Sequence, residues 1–172
     1  DQGFFLGEHG LYDKRFMYDP SIRMPFIVRW PDGIRPGSIT GAIVINCDFA
    51  PTFLEIAGQP VPADMQGRGL VPLLKGCRPR DWRTAMYYRY YHDPGDHNTR
   101  AHYGVRTTTH KLIYFWRKDQ WEMYDLVKDP FELNNLYNNP AEKERVAKLK
   151  AELYRLKKEL KDNDQFADKQ PQ

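Results

Sequence analysis

The sequence opens with Asp1-Gln2-Gly3-Phe4-Phe5-Leu6-Gly7-Glu8-His9-Gly10-Leu11-Tyr12-Asp13-Lys14, and its organisation follows from this stretch. Asp1 and Gln2 place a carboxylate and an amide carbonyl side by side, and such oxygens are the ligands that Ca²⁺ and Mg²⁺ prefer. The glycines allow a tight loop. A cation at Lys14 could then hold an anionic group that the metal also touches. The residues alone leave open an ordinary Asp-Gln-Gly turn and a surface lysine.

Further blocks of sequence follow this stretch in order. They are Arg23-Met24-Pro25-Phe26-Ile27-Val28, Asp48-Phe49-Ala50-Pro51-Thr52-Phe53-Leu54, Gln66-Gly67-Arg68-Gly69-Leu70-Val71-Pro72-Leu73-Leu74, Tyr103-Gly104-Val105-Arg106-Thr107, Lys111-Leu112-Ile113 and Tyr124-Asp125-Leu126-Val127-Lys128-Asp129-Pro130. In this order and spacing, the chain resembles the C-terminal half of a type I, formylglycine-dependent sulfatase. The resemblance covers nearly the whole chain except its last residues.

The resemblance implies roles for the first residues. Asp1 and Gln2 would join two acidic residues of an earlier strand around one Ca²⁺ or, less often, Mg²⁺. Lys14 would contact the sulfate group, where an ammonium stabilises charge that grows in the transition state. The formylglycine nucleophile, its partner arginine and the catalytic histidine would all lie upstream of Asp1.

Cys47 and Cys77 do not form a disulfide framework, and neither has a spacing that suits zinc. A single bridge between them is the alternative, but nothing in the sequence indicates it, and we expect two unpaired, buried thiols. Cys77 is not the nucleophile, because the family's nucleophile stands in a Cys-x-Pro-Ser-Arg setting well before the metal motif. In this chain, Pro79 is followed by Arg80 and Asp81.

The sequence predicts a mixed α/β chain in two parts. Residues 1–76 are expected to be the C-terminal portion of an alkaline-phosphatase-like α/β domain, with strands at 26–30 and 42–45 and a helix from Asp48 to Gly58. Residues 77–161 are expected to form an α+β subdomain with an antiparallel sheet of about four strands, at 85–91, 103–108, 111–116 and 121–126. A long packing helix is expected to begin at Pro140, because apolar residues repeat at threes and fours at Val146, Leu149, Leu153, Leu156 and Leu160. Residues 162–172 are expected to be a disordered tail.

A second polar cluster lies between two strands of the predicted sheet. It contains His92, His97, Arg100, His102 and Arg106, of which the last four are the candidate substrate contacts. These side chains could line a pocket for a sulfated sugar, in which arginine would hold a second sulfate or a carboxylate with its two parallel donors. By the resemblance, this region tends to contribute substrate-specific contacts. The alternative is a polar surface loop in which Arg106 forms a structural ion pair.

Charge and hydropathy exclude some classes of partner. The net charge is only +3 and no dense basic block is present, so the sequence carries no nucleic-acid footprint. No apolar run approaches the ~20 residues that a membrane span needs. We infer a fragment of a longer protein, whose N-terminal part would be its partner. The resemblance implies a periplasmic, secreted or lysosome-like location, with the targeting segment outside this chain.

The resemblance also implies the activity of the whole protein, which is the hydrolysis of a sulfate ester on a carbohydrate such as a glycosaminoglycan or an algal glycan. The fragment alone is expected to be inactive, because half of the site would be missing. One alternative is a phosphonate or phosphodiester hydrolase of the same superfamily. Another is a non-catalytic module that binds sulfated glycans.

Overall fold

A computed structural model gives the fold, and it describes residues 3–31 and 33–167. The chain divides into two compact units, one made of residues 1–25 with 85–172 and the other of residues 26–84. This division concerns packing within the chain, and the domain boundary at residue 76 stays a prediction.

The first unit begins with a short antiparallel hairpin. Strand β1 (Phe5–Leu6) pairs with β2 (Tyr12–Asp13), and a 3-10 turn at Glu8–Gly10 joins them. A single helical turn, α1 (Asp19–Ile22), follows. Gly7 and Gly10 have φ angles of 124° and 67°, which glycine adopts without steric cost. The tight glycine loop that the sequence predicts is therefore present.

The second unit is mainly irregular, with two helices. A 3-10 turn at Asn46–Asp48 leads into α2 (Phe49–Ile56), and α3 (Val71–Leu74) follows later. The predicted helix after Asp48 is confirmed, and Gly58 takes a φ of 66° beyond its end, as a helix-terminating glycine does. Leu70, Leu73 and Trp82 form the buried core of this unit.

The strands predicted at 26–30 and 42–45 are wrong. Neither segment is a strand, and no strand pairs with either within the described residues. A β-prone apolar run becomes a strand only where a neighbour takes up its backbone hydrogen bonds. Phe26 instead stacks on Phe49, with ring centroids 5.0 Å apart, and Ile27 is 90% exposed.

The rest of the first unit is built on a four-stranded antiparallel sheet, as predicted. Its strands are β3 (Ala85–Tyr90), β4 (His102–Thr107), β5 (His110–Phe115) and β6 (Gln120–Asp125), and they lie side by side in chain order. Each strand lies within one residue of its predicted bounds. Tyr88 opposes Gly104, and Gly104 opposes Ile113.

The two faces of this sheet have different coverings. Successive side chains of a strand point to opposite faces. Val105, Leu112 and Met123 belong to a core that includes helix residues Leu149 and Leu153. The other face packs against the beginning of the chain, through a core that contains Phe5, Met17, Tyr18, Ile113, Phe115 and Tyr124. The segment from Phe5 to Tyr18 is thus packed against the sheet.

The long packing helix is also confirmed. A 3-10 turn at Pro140–Glu142 leads into α4 (Lys143–Glu159), and Asn139 Oδ1 accepts a hydrogen bond of 3.1 Å from Ala141 N at its start. Its buried stripe contains Leu149 and Leu153. In the described part of the chain, no helix combines the length and the apolar character that crossing a membrane requires.

The described part of the expected tail departs from the prediction. Residues 162–167 form turns, and Asp162 and Asp164 both pair with Arg89 of β3. The Arg89 side chain is only 3% exposed, and a buried guanidinium requires carboxylates to balance its charge. Residues 162–167 are therefore tied to the sheet, and residues 168–172 lie outside the described residues.

Candidate functional site

The hairpin loop that precedes Lys14 is held by its own side chains. Glu8 Oε2 accepts a hydrogen bond of 2.6 Å from Leu6 N. His9 stacks on Tyr18 with ring centroids 4.3 Å apart and planes inclined by 12°. His9 therefore fixes the loop against the core, which is the role that its position in the loop favours.

Lys14 follows β2, where the backbone conformation is unusual. It is partly buried and lies between Asp13 and Arg15, which have φ angles of 75° and 98°. Positive φ at a residue other than glycine costs about 1–3 kcal/mol and persists only where the surroundings impose it. Here Arg15 N donates to Ser21 Oγ at 3.0 Å, and Tyr88 Oη donates to Arg15 O at 2.6 Å.

An ion-pair cluster joins this turn to the loop between β3 and β4. The Arg15 guanidinium pairs with Asp13, and its Nη2 lies 3.1 Å from Asp96 Oδ2. His97 Nε2 lies 3.1 Å from Asp13 Oδ2. The hydrogen bond from Arg15 lowers the pKa of Asp13 against the opposing effect of burial. The structure therefore brings the loop of His97 to the residue next to Lys14, although the two are far apart in sequence.

The two loop residues predicted to bind substrate remain accessible. His97 has a φ of 53° in a 3-10 turn at Asp96–Asn98, and its side chain is 57% exposed. Arg100 Nη1 lies 3.3 Å from Asp93 Oδ1, and its side chain is about a third exposed. Both side chains are therefore accessible to an anionic or hydroxylated ligand without unfolding of the loop.

His102 lies elsewhere, and its predicted contact with substrate needs correction. Its side chain is fully buried on the sheet face that the beginning of the chain covers, and it stacks on Phe16 with centroids 5.6 Å apart. Nδ1 lies 2.7 Å from Arg100 O, and Nε2 accepts a hydrogen bond of 3.1 Å from Met17 N. Burial lowers its pKa to about 4, so the ring is neutral at pH 7. Both ring nitrogens are satisfied within the protein and neither is left for a ligand.

Arg106 realises the alternative that the sequence left open, a structural ion pair. Its Nε and Nη2 donate to the two carboxylate oxygens of Asp19 at 2.9 and 2.8 Å. Its Nη1 donates to Thr107 O at 3.1 Å, so each of the three guanidinium nitrogens is engaged within the chain. The two parallel donors of Arg106 that the sequence analysis assigned to substrate bind the Asp19 carboxylate instead.

Asp19 also belongs to a larger cluster that the sequence analysis missed. Lys111 Nζ lies 2.8 Å from Asp19 Oδ1 and 2.5 Å from Glu132 Oε1, and the Lys111 and Glu132 side chains are completely buried. Glu132 Oε2 accepts a hydrogen bond of 2.6 Å from Asp19 N. We call Asp19, Arg106, Lys111 and Glu132 the buried charge cluster. Burial raises the pKa of Asp19, but the hydrogen bond from Arg106 and the charge of Lys111 outweigh burial and hold the pKa below its usual value.

One signal in the sequence could have indicated this cluster. Arg106 and Lys111 occupy directly opposed positions on β4 and β5. Like charges at such a pair are destabilising unless an acid lies between them. Once the two strands are paired in register, the adjacent positive charges of Arg106 and Lys111 predict a carboxylate from another segment. The sequence does not identify that segment.

The predicted metal ligands Asp1 and Gln2 lie outside the described residues. The adjoining Gly3 is described, and its N donates to Ser21 O at 2.8 Å. A Cβ at this glycine would come within 2.1 Å of Pro20 O, so only glycine fits here. A carboxylate and an amide oxygen suit a hard divalent cation, but two donors fall short of the six to eight that Ca²⁺ takes. From residue 3 to 167, apart from residue 32, no group of three or more His, Cys, Asp or Glu side chains could hold a metal.

Two further blocks of sequence have a structural role in the second unit. Asp48 is fully buried, and its carboxylate accepts hydrogen bonds from Ile45 N and Arg68 N at 2.9 and 2.8 Å. Arg83 donates to both of its oxygens at 2.5 and 2.7 Å. Thr52 Oγ1 accepts from Leu70 N at 2.8 Å. The block that begins at Asp48 is therefore tied to the block that contains Arg68 and Leu70.

The cysteines fit only half of the prediction. Cys47 and Cys77 are both free thiols, as expected, but both are exposed rather than buried. Cys47 lies in the 3-10 turn before α2 and Cys77 follows α3, and both are outside the core of Leu70, Leu73 and Trp82. Neither therefore contributes to the packing of that unit.

The comparisons with known proteins agree with one another. Residues 7–159 match the family described as N-sulphoglucosamine sulphohydrolase, C-terminal. The N-acetylglucosamine-6-O-sulfatase of Bacteroides thetaiotaomicron is 50% identical over 95% of this chain and 30% of its own length. The human N-acetylglucosamine-6-sulfatase is 37% identical over 52% of this chain and 16% of its own length. The chain thus spans less than a third of the length of these relatives.

Solved structures resemble the chain as a whole. A protein in complex with its substrate D-glucosamine-2-N,6-O-disulfate superposes with a TM-score of 0.92 at 48% identity, and the match covers 98% of this chain and 35% of that one. A phosphonate monoester hydrolase from Silicibacter pomeroyi gives a TM-score of 0.80 at 26% identity, over 95% of this chain and 34% of that one.

Proposed function

Since the chain belongs to the C-terminal family of N-sulphoglucosamine sulphohydrolases, in the alkaline-phosphatase-like superfamily of sulfatases and phosphonate hydrolases, we propose that it completes the active site of an enzyme that removes the 6-O-sulfate of glucosamine. The main support is the 50% identity, over 95% of this chain, to an N-acetylglucosamine-6-O-sulfatase. A protein solved with a glucosamine disulfate as its substrate has nearly the same fold. The product would be an alcohol and inorganic sulfate.

Lys14 is the residue to which we assign the sulfate contact. Its backbone is fixed on both sides, by Asp13 in β2 and by the hydrogen bonds of Arg15. A preorganised ammonium stabilises negative charge that develops on the departing oxygens without reorganising during the reaction. The ion pairs of Arg15 with Asp13 and Asp96 balance its own charge, so the turn does not repel the Lys14 ammonium strongly.

His97 and Arg100 are assigned to the rest of the saccharide. They lie on the loop that meets Asp13, and both keep exposed side-chain donors. An arginine and an imidazole there suit a second anionic group or a hydroxyl of glucosamine. His102 and Arg106 act on this site only through the packing of the sheet, since their polar atoms bind other parts of the chain.

The remaining parts of the site are also proposals. Asp1 and Gln2 would supply two oxygen ligands to Ca²⁺ or Mg²⁺, and the bound ion would neutralise charge on the sulfate oxygens. Further ligands and the formylglycine nucleophile would come from the part of the protein outside this chain. A periplasmic, secreted or lysosome-like location rests on family resemblance.

The test is a comparison of substrates with the full-length protein that contains this chain. Released sulfate would be measured from N-acetylglucosamine 6-sulfate and from glucosamine 2-N-sulfate, and alcohol release from a phosphonate monoester. We expect kcat/KM for the 6-sulfate to exceed the other two by about tenfold or more, because such ratios report differential binding of the transition state. A preference for the N-sulfate would overturn the assignment of the 6-position.

A second candidate activity has a specific observation in its favour. The phosphonate monoester hydrolase superposes over 95% of this chain at 26% identity. A metal site with a nearby lysine would serve a phosphonate as well as a sulfate, since both present anionic oxygens to the same groups. Faster turnover of the phosphonate than of either sulfate would establish this candidate in place of the first.

A further inference from the structure

The loop that carries the proposed catalytic groups is tied at both ends to one buried residue. Gly3 N donates to Ser21 O at 2.8 Å, and Arg15 N donates to Ser21 Oγ at 3.0 Å. Ser21 is completely buried. Gly3 adjoins Gln2 and Arg15 adjoins Lys14, so the position of Ser21 sets the position of both ends of the loop.

Ser21 is itself held by the buried charge cluster. It lies in α1, whose first residue is Asp19, and Arg23 N closes this helical turn by donating to Asp19 O at 2.8 Å. The Asp19 carboxylate binds Arg106 of β4 and Lys111 of β5, and its backbone N binds Glu132. A continuous set of contacts thus runs from two strands of the sheet to the residues beside Lys14 and Gln2.

We propose that the buried charge cluster is a positioning device, in which Asp19 acts through Ser21 to place Lys14 and the backbone at Gly3 for the reaction. This inference rests on the proposed function, because that function gives Lys14 its contact with sulfate. Asp19, Lys111 and Glu132 touch no substrate in this scheme and are positioning residues.

The chemistry of the cluster favours this role over simple packing. Apolar side chains could hold α1 on the sheet without the free-energy cost of removing charged groups from water. Such a contact is not directional, so it would define the position and the rotation of α1 on the sheet only weakly. Two arginine donors on two carboxylate oxygens fix both distance and orientation. A displacement of about 1 Å of a group that acts in the reaction can reduce the rate by about 100-fold, so such precision has a functional consequence.

The test uses the full-length protein and the isosteric variant Asp19→Asn, which keeps the shape and removes the charge. The matched control is Asp162→Asn. Asp162 is also a buried carboxylate, and it accepts a hydrogen bond of 3.0 Å from Arg89 on the opposite face of the same sheet. Hydrogen exchange would be measured at the amides of Gly3 and Arg15, and kcat and KM would be measured separately.

We expect Asp19→Asn to speed exchange at both amides by about tenfold and to lower kcat by about 10- to 100-fold, more than it changes KM. Asp162→Asn is expected to lose a similar amount of stability to Asp19→Asn, but its exchange rates at these two amides and its kcat should stay within about twofold of the wild-type values. The proposal is overturned if folded Asp19→Asn keeps the exchange protection of the control. Faster exchange with unchanged kcat also overturns it.

A second variant keeps the test decisive if Asp19→Asn does not fold. Glu132→Gln preserves the volume and an acceptor for Asp19 N but removes one charge from Lys111, and it should give a smaller change in the same direction. Unchanged exchange and kcat in Glu132→Gln would then overturn the proposal. If the wild type releases no sulfate, the proposed function fails, while the exchange measurements still decide whether the cluster positions the loop.

Discussion

At the scale of single residues, the turn around Lys14 combines unfavourable backbone angles with several tertiary restraints. Asp13, Arg15 and His97 all have positive φ, and all three take part in one ion-pair cluster. Residues with strained backbone angles that are held by their surroundings occur often at functional sites. The positive φ angles therefore suggest a functional role for this turn. Lys14 is therefore the first residue to test.

Replacing Lys14 by alanine in the full-length protein should reduce kcat/KM for the sulfate ester by about 100-fold or more, because a preorganised charge is lost at the oxygens of the transition state. The control is Lys148→Ala, an exposed lysine on α4. Both variants should fold normally. Wild-type turnover by the Lys14 variant would remove this residue from the site.

His102 leads to a prediction about stability and pH. Its pKa is lowered by burial to about 4, whereas an unfolded histidine has a pKa of about 6.5. Between these values the unfolded chain binds the extra proton, so stability decreases as the pH falls. The contribution of neutral His102 to the free energy of unfolding is complete above about pH 6.5 and falls by about 3 kcal/mol as the pH decreases to 4.

The measurement for His102 is the difference in thermal midpoint between pH 7.5 and pH 4.5, for the wild-type full-length protein and for His102→Gln. The variant should be less stable at pH 7.5 and should lose less on acidification, because its side chain does not titrate. An equal loss in both proteins would show that His102 is not the group responsible.

At the scale of elements, strand alternation explains which of the predicted ligands were misplaced. His102 and Arg106 lie on β4 at positions that share a face, with Gly104 between them. A Cβ at Gly104 would come within 2.6 Å of Met17 Sδ, so this face has no room for a ligand beside the covering segment. His97 and Arg100 precede the strand and escape this constraint.

The contacts of Asp48 join α2 to the segment before α3. Asp48→Asn should destabilise the second unit by about 3 kcal/mol, because Arg83 would then lie partly buried beside a neutral group. Asp81→Asn is the control, since the Asp81 side chain is 85% exposed and its carboxylate lies 3.7 Å from Arg68. Limited proteolysis within residues 26–84 and the unfolding midpoint would measure the effect. Equal behaviour of the two variants would contradict the structural role given to Asp48.

At the scale of the whole molecule, the chain presents several large apolar side chains to solvent. Leu6 and Tyr12, which are paired across the hairpin, are 77% and 67% exposed. We expect this exposed apolar pair to pack against another segment of the full-length protein.

The 172-residue chain alone should therefore show no sulfate release under conditions where the full-length protein turns over. The physical reason is that Lys14, His97 and Arg100 supply binding groups but no nucleophile. Turnover by the isolated chain would contradict the division of the site between two parts of the protein. Tight, salt-sensitive binding of a sulfated glycan without turnover would instead favour a binding module.

The sequence by itself determined the elements whose signals are local. Alternating and aromatic residues placed the four strands to within one residue, leucine spacing placed α4, and the ordered blocks of sequence placed the chain among the sulfatases. The segment at 26–30 carried an equally β-prone pattern and is not a strand, because pairing depends on a neighbour and not on the segment itself.

Only the tertiary structure decided which polar residues are available to a ligand. The sequence grouped His97, Arg100, His102 and Arg106 by proximity, and the fold separated them, since a charge is free or paired according to what lies opposite in space. Asp19, Lys111 and Glu132 are distant in sequence and meet only when the opening segment lies on the sheet. Long-range electrostatic pairing of this kind has no local pattern that a sequence can display.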